Sequence, residues 1–198
     1  AAFESLLDQI RRSMAIAVRD VVTCKPDAMV MGMSAETFWG GVEGNEAFEK
    51  RVSEWSGGLH VATGATACRL ALEQLGAKRI AVLSPYQEIA DKMVTRFFEE
   101  SGFDVVRFKG LRCPSATAIA EVTEEELIPV LRDDLYGPDV DALVQVGTNL
   151  SMVRLADEAE RWLGLTVLAI NAATMWHALR SNGFHDQFTG FGTILRDF

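Results

Sequence analysis

Two short polar runs follow apolar stretches of this chain, and both contain residue types that hold anions. In "VMGMSAETFWGG" (30–41) an apolar run breaks at Gly32 and passes through Met33 to Ser34, Glu36 and Thr37, then Phe38 and Trp39. In "LVQVGTNLSM" (143–152) a second apolar run breaks at Gly147 and continues into Thr148 and Asn149. Serine, threonine and asparagine start helices for local reasons. The free N–H groups of a first helical turn also bind carboxylates, so cap and anion site are compatible readings. Tyr86, in "LSPY", either begins the next helix or offers a phenolic hydrogen-bond donor. Cys113, in "LRCPS", carries a thiol after another apolar run, where a loop or packing cysteine fits as well as a reactive one. Glu36 would repel a carboxylate if it pointed inward, so it is expected to cap or face solvent. Phe38 and Trp39 fit either an apolar pocket beside the anion site or packing beneath the loop. His177 has a usable pKa, but beside Trp176 it reads first as a surface or packing residue. His60 reads as a strand residue, Cys68 as core, and Cys24 lies away from these turns.

Composition narrows the partners. The chain has 198 residues, 48% of them hydrophobic, which is enough for one large domain or two halves sharing a core. A net charge of −9 argues against nucleic acid, whose binding needs a Lys/Arg surface. It does not argue against a small anion held by a few N–H groups. No apolar run approaches the length of a membrane span. The opening "AAFESLLDQIRRSMAIAVRD" reads as an amphipathic helix and not as a signal peptide. Three cysteines without a CxxC read as reduced thiols of a cytoplasmic protein. They and the three histidines (His60, His177, His185) show no zinc-ligand spacing.

The elements that must position these residues alternate. Apolar runs at 28–33, 59–62, 79–84, 103–108, 141–146 and 166–170 are mostly unalternating, as in strands covered on both faces. Helical patterns occupy 3–23, about 45–56, 65–75, 86–101, about 115–134 with a break, 151–163 and 172–182. Gly76, Gly102, Gly164 and Gly183 follow four of them as helix stops. "TEEEL" (123–127) reads as a capping box with Thr123 as cap and Glu126 three positions on. The alternation predicts an α/β fold with parallel sheet. Ligands in such folds bind beyond the carboxyl ends of strands, which places both polar turns on the functional rim. Neither GxGxxG nor GxxxxGK[ST] occurs, so no dinucleotide or P-loop site is supported.

The two turns also belong to an internal repeat. "PDAMVMGMSAETFW" (26–39) and "VDALVQVGTNLSMV" (140–153) share Asp-Ala, an apolar strand, a glycine and a polar turn. Each is followed by a helix and then by matching blocks, with Gly58-Leu59-x-Val61 against Gly164-Leu165-x-Val167. The period is roughly a hundred residues, too long for a solenoid. It fits two similar halves whose turns face each other across a cleft, although any two strand–helix–strand units share some of this layout.

The blocks "MVMGMSAETFWGG", "ALEQLGAKRIAVLSPY", "VGTNLSM" and "LADEAERWLGLTVLAINAATMWHALR" together resemble the arylmalonate decarboxylase and maleate cis–trans isomerase group of the aspartate/glutamate racemase superfamily, over about residues 3–183. The resemblance implies two pseudo-symmetric flavodoxin-like halves with parallel sheets and an active site in the cleft between them. The first half would be 1–76, lacking its opening strand, with 183–198 a candidate to pack back on it; the second would be 77–182. The resemblance also implies no metal, no organic cofactor and a small mono- or dicarboxylate substrate. Decarboxylation or isomerisation would run through an enediolate-like state. A homo-oligomer is left open. The family's two cysteine positions fall here at Gly32 (or Met33 with a one-residue shift) and at Gly147, so both thiols are missing. The hydroxyl after the first strand matches Ser34, the carboxylate-binding tyrosine matches Tyr86, and the second polar pair matches Thr148 and Asn149. An enzyme without the usual cysteine pair is the expectation; a non-catalytic carboxylate-binding homologue is the alternative.

Overall fold

The computed structural model describes residues 2–198, with side chains described for residues 9, 10 and 12–198. Two parallel sheets organise them. In the smaller, β1 (Ala28–Val30) pairs with β2 (His60–Ala62). In the larger, the strand order is β4-β3-β5-β6, built from β3 (Arg79–Ser84), β4 (Asp104–Gly110), β5 (Ala142–Gln145) and β6 (Thr166–Ala169). All six strands lie at the expected apolar runs, and all their pairings are parallel.

Helices connect them: α1 (Ala2–Val22), α2 (Gly41–Trp55), α3 (Gly64–Gln74), α4 (Glu88–Glu100), α5 (Ala116–Ala120), α6 (Glu124–Pro129), α7 (Val153–Leu163), α8 (Ile170–Ser181) and α9 (Thr193–Asp197). Thr123 forms the capping box with Glu126 that its spacing predicts. The break expected in the 115–134 pattern is real, and α6 runs on into a wider π turn, Val130–Leu135. The apolar face of α1 buries Met14 and Val18 against Met29, Phe48, Val52 and Val61, while its positions 3, 6 and 7 lie outside the described side chains. The larger core gathers α3, α4, α7 and α8 around the four-stranded sheet.

Two packing arrangements bear on the site. Phe38 follows β1 in a single 3-10 turn (Ala35–Phe38) and is fully buried. Its ring meets Phe97 edge-on at 5.3 Å and Phe98 at 5.8 Å, so the loop after β1 is anchored in α4. Of the two roles open to Phe38, packing beneath the loop is the one seen. The 183–198 segment is held at α7, α8 and β6. The Gly192 N–H donates to Asp157 (3.1 Å), and Thr193 donates through N–H and Oγ1 to Glu160 (2.9 and 2.8 Å). Ile194 and Leu195 are buried there, with α9 against α8 and β6. The reason is local: α7 presents two carboxylates at the point where Gly192 and Thr193 open α9.

Strand order fixes where a ligand crevice can form. From β3 the chain moves outward to β4, then returns past β3 to β5 and β6. Neighbouring connections therefore part on opposite faces between β3 and β5, and a crevice opens at their carboxyl ends. The opposite ends are held by Asp141, which accepts from the N–H groups of Lys78 (3.1 Å) and Arg79 (2.8 Å) and from the Arg79 guanidinium (2.7 Å). The Arg79 guanidinium and these amides hold the carboxyl down at about 2. Its folded pKa lies below its unfolded one, so the stabilisation is complete above about pH 4 and fades as pH falls. The stability gap between the native chain and Asp141→Asn, followed by urea unfolding, should be full at pH 6 and close toward pH 2.

Candidate active site

Each turn reaches the rim for a different local reason. After β1 the Met31 N–H still pairs with Ala62 (2.9 Å), and the chain then turns through Gly32 and Met33 into Ser34. The Ser34 carbonyl accepts from the Thr37 N–H (3.0 Å) and hydroxyl (2.7 Å), which closes the 3-10 turn. Ser34 stands at the capping position, but its side chain makes no cap bond. Nor do Thr148 and Asn149 cap α7, whose N-terminal flank is Met152. The hydroxyls are thus free of the local role that would have explained them.

Ser34 Oγ instead lies 2.6 Å from Tyr86 Oη and accepts from the Thr148 N–H at 3.0 Å, with Thr148 Oγ1 at 3.5 Å. These residues come from the ends of β1, β3 and β5 and are separated by 52 and 114 positions in sequence. Ser34 itself is 3% exposed. Tyr86 precedes α4 and does not begin it. Its residue surface is half-buried with the hydroxyl at the enclosed end; burial pushes the phenol above its ordinary pKa, while the Ser34 bond pulls it partly back. The phenol therefore stays protonated at neutral pH and acts as a donor.

Gly147 sits at φ +98°, a conformation that favours glycine. A Cβ there would lie 2.7 Å from Pro85 Cδ and nearer still to Cγ. The carbonyls of Val146 and Gly147 accept from the buried Gln145 amide at 2.6 and 2.8 Å, and the Thr148 carbonyl accepts from Asn171 at 3.0 Å. Asn149 is exposed and donates to the Ala116 carbonyl at 3.2 Å. At Gly32, by contrast, an added Cβ meets nothing within 4 Å. The two positions that the resemblance sets against the family's thiols therefore differ: beside Pro85 the Gly147 backbone has no space for a side chain. Gly32 has it.

The turns open onto one cavity of about 290 Å³. Gly32, Met33, Ser34, Tyr86, Gly147, Thr148 and Asn149 all line it, and so does Cys113. Burial raises the Cys113 thiol above its ordinary value. Its backbone is pinned, with N–H to Pro85 (3.0 Å) and carbonyl accepting from Gln87 (2.8 Å). Ile10, Pro114 and Ile119 add an apolar wall that sequence reasoning missed. The signal available was the position of the 111–116 loop after β4, on the same rim. Among the described residues no lysine, arginine or histidine lines the cavity, and no cluster of three or more His, Cys, Asp or Glu could hold a metal ion.

Other candidates lie elsewhere. Glu36 is 3% exposed, so of the two expectations, a cap or a solvent-facing side chain, the second is not met; the 3-10 turn that buries Phe38 carries it inward. Trp39 is not in the cavity wall. His177 packs edge-on against His60 at 5.4 Å, between α8 and β2, and burial with the neighbouring His60 and Arg69 charges lowers it to about 4. Cys68 is fully buried and Cys24 exposed.

The chain is thus an α/β protein with parallel sheets whose switch-point crevice is lined by neutral hydrogen-bonding groups among the described residues. The chain belongs to the arylmalonate decarboxylase family, whose model matches residues 1–195. It is 27% identical over 197 residues to arylmalonate decarboxylase of Bordetella bronchiseptica, covering 98% of this chain and 78% of that protein. It is 26% identical over 184 residues to maleate isomerase of Nocardia farcinica, covering 90% and 73% respectively. A solved structure of the Nocardia farcinica maleate cis–trans isomerase, a cysteine-to-serine variant with a covalently bound succinylcysteine intermediate, superposes with a TM-score of 0.91 at 25% identity, over 97% of this chain and 80% of that one.

The unequal glycines give a direct test. Gly32→Ala should change thermal stability by less than about 1 kcal/mol, because space and backbone both permit it. Gly147→Ala should cost about 1–3 kcal/mol or more, from the left-handed backbone and the Pro85 overlap. Calorimetric melting of the two variants checks both.

Proposed function

We propose that this chain is a cofactor-independent enzyme acting on a small mono- or dicarboxylate at the cavity between β1, β3 and β5. One observation carries the reading. Ser34 Oγ, Tyr86 Oη and the Thr148 N–H converge within hydrogen-bond distance at one point of a largely apolar cavity. A carboxylate entering there takes over the donors that now satisfy one another. Decarboxylation leaves an electron pair on the α-carbon, delocalised onto the remaining carboxylate as an enediolate. Isomerisation passes through a related charge shift. Both place extra negative charge on the oxygens that these donors face, and in a water-poor site preorganised donors stabilise that charge strongly. The apolar wall of Ile10, Met33, Pro114 and Ile119 suits an aryl or alkenyl substituent.

Proton return to carbon is where this chain departs from the family pattern. Gly32 and Gly147 offer no side-chain proton, which leaves water or the Cys113 thiol. The layout supports two flavodoxin-like halves, about 1–76 and 77–182, because each sheet sends one glycine-containing turn to the same cavity. A second reading has one observation in its favour: with glycine at both thiol positions, the cavity would bind a carboxylate without turning it over.

The test is binding and turnover of phenylmalonate and of maleate by the native chain, Ser34→Ala and Tyr86→Phe. Each substitution should weaken carboxylate binding by roughly 1.5–3 kcal/mol, about ten- to a hundredfold. Binding without turnover selects the second reading. Unchanged affinity in both variants would mean that the site is assigned wrongly.

A further inference from the structure

Tyr86 is held from behind by residues that do not touch the cavity. Asp91, in the first turn of α4, is 5% exposed and absent from the cavity wall. One of its oxygens, Oδ1, accepts from the Ser84 hydroxyl at 2.5 Å, and Oδ2 pairs with Arg112 Nη1. Each partner then reaches Tyr86. Ser84 Oγ accepts from the Tyr86 N–H at 3.1 Å, and Arg112 Nη1 donates to the Tyr86 carbonyl at 3.2 Å. Both backbone polar groups of Tyr86 are thereby tied to one buried carboxylate.

The same carboxylate fixes the opposite wall. Arg112 adopts φ 58°, which L-residues seldom visit, immediately before Cys113 and Pro114 of the cavity lining. The 84–87 and 111–113 segments continue the β3–β4 pairing past the end of the sheet: Leu111 N–H to Ser84 (2.7 Å), Cys113 N–H to Pro85 (3.0 Å), Gln87 side chain to Cys113 (2.8 Å). Gly110 adds a third constraint. A Cβ there would overlap Asp91 Oδ2 and Arg112 Nη1, so a larger residue would have to displace the ends of both side chains. A buried charge kept with two partners is a costly arrangement unless its geometry matters.

We propose that Asp91 is a positioning residue of the carboxylate site, acting through Ser84 and Arg112 to set where the Tyr86 hydroxyl stands. The proposal rests on the reading of the cavity given above for its ligand consequence, but not for its geometric one. Asp91→Asn keeps the shape and the acceptor for Ser84. It turns an amide toward Arg112 or leaves that guanidinium with a weaker partner, so the Tyr86 carbonyl loses its hold.

The chain has two tyrosines, Tyr86 and the exposed Tyr136, so tyrosine labelled with carbon-13 at Cζ gives one resonance for each. In folded Asp91→Asn the Tyr86 resonance should shift or split while that of Tyr136 stays in place. Arg112→Lys, which keeps the charge but not the guanidinium fork, should do the same and serves if Asp91→Asn unfolds. Phenylmalonate dissociation constants, by calorimetric titration, should rise tenfold or more in either variant. Adding Asp91→Asn to Tyr86→Phe should weaken binding less than twofold further, because the effect travels through Tyr86. A Tyr86 resonance unchanged in both folded variants overturns the proposal, whether or not phenylmalonate binds; so does a full tenfold loss on the Tyr86→Phe background. If the native chain binds no phenylmalonate while the resonance moves as expected, the carboxylate reading fails and the positioning role stands.

Discussion

The Ser34 hydroxyl is the point at which the molecule closes. It is a buried polar atom between two sheets, and burial without partners would cost free energy. Its partners come from the ends of β3 and β5, so satisfying one serine brings together segments from three strands. Phe38, four residues on, drives this side of the contact by burying its ring against Phe97 and Phe98. The apolar anchor sets the approach of the loop, and the hydroxyl sets its register. Without the first the second would have no reason to sit where Tyr86 can reach it.

The chemistry of the cavity follows from what surrounds that hydroxyl. No cationic side chain lines the wall among the described residues, so an anion there would be held by neutral donors and backbone N–H groups. Such donors do not neutralise a charge outright. They stabilise it in proportion to how well they are aimed, which makes positioning the decisive property. The bonds behind Tyr86, from Ser84 and Arg112 through Asp91, are of that kind. Gly147 serves the same end from the other side. Its left-handed backbone lets Pro85 pack directly on it, which holds the β3 and β5 ends close and leaves Thr148 N–H facing Ser34.

Much of this was legible in the residues, and the parts that were not share a physical cause. The six strands are short apolar runs bounded by turn residues, a signal that depends only on local sequence, and each was found within a few positions. Ser34, Tyr86, Thr148 and Cys113 could be singled out because each follows a strand, and in parallel sheets the carboxyl ends converge. The burial of Glu36 was not legible, because it is imposed by Phe38 and not by its own type. At Gly147 the sequence shows a glycine but neither the φ angle nor the Pro85 ring that favours one there. Asp91 and Arg112 look like ordinary helix and loop charges in sequence, and their meeting depends on how β3 and β4 continue past the sheet. The place of the 183–198 segment was not legible, because nothing near Gly192 and Thr193 in the sequence signals that Asp157 and Glu160 lie opposite them on α7.

The central claim is that one three-donor point in this cavity receives a carboxylate. A crystal structure of the chain grown with phenylmalonate tests it most directly. The account requires a carboxylate oxygen within hydrogen-bond distance of Tyr86 Oη, Ser34 Oγ and the Thr148 N–H, with the phenyl ring against Ile10, Met33 and Ile119. Phenylmalonate bound elsewhere on the molecule, with the Ser34–Tyr86–Thr148 bonds intact and the cavity untouched, would contradict it.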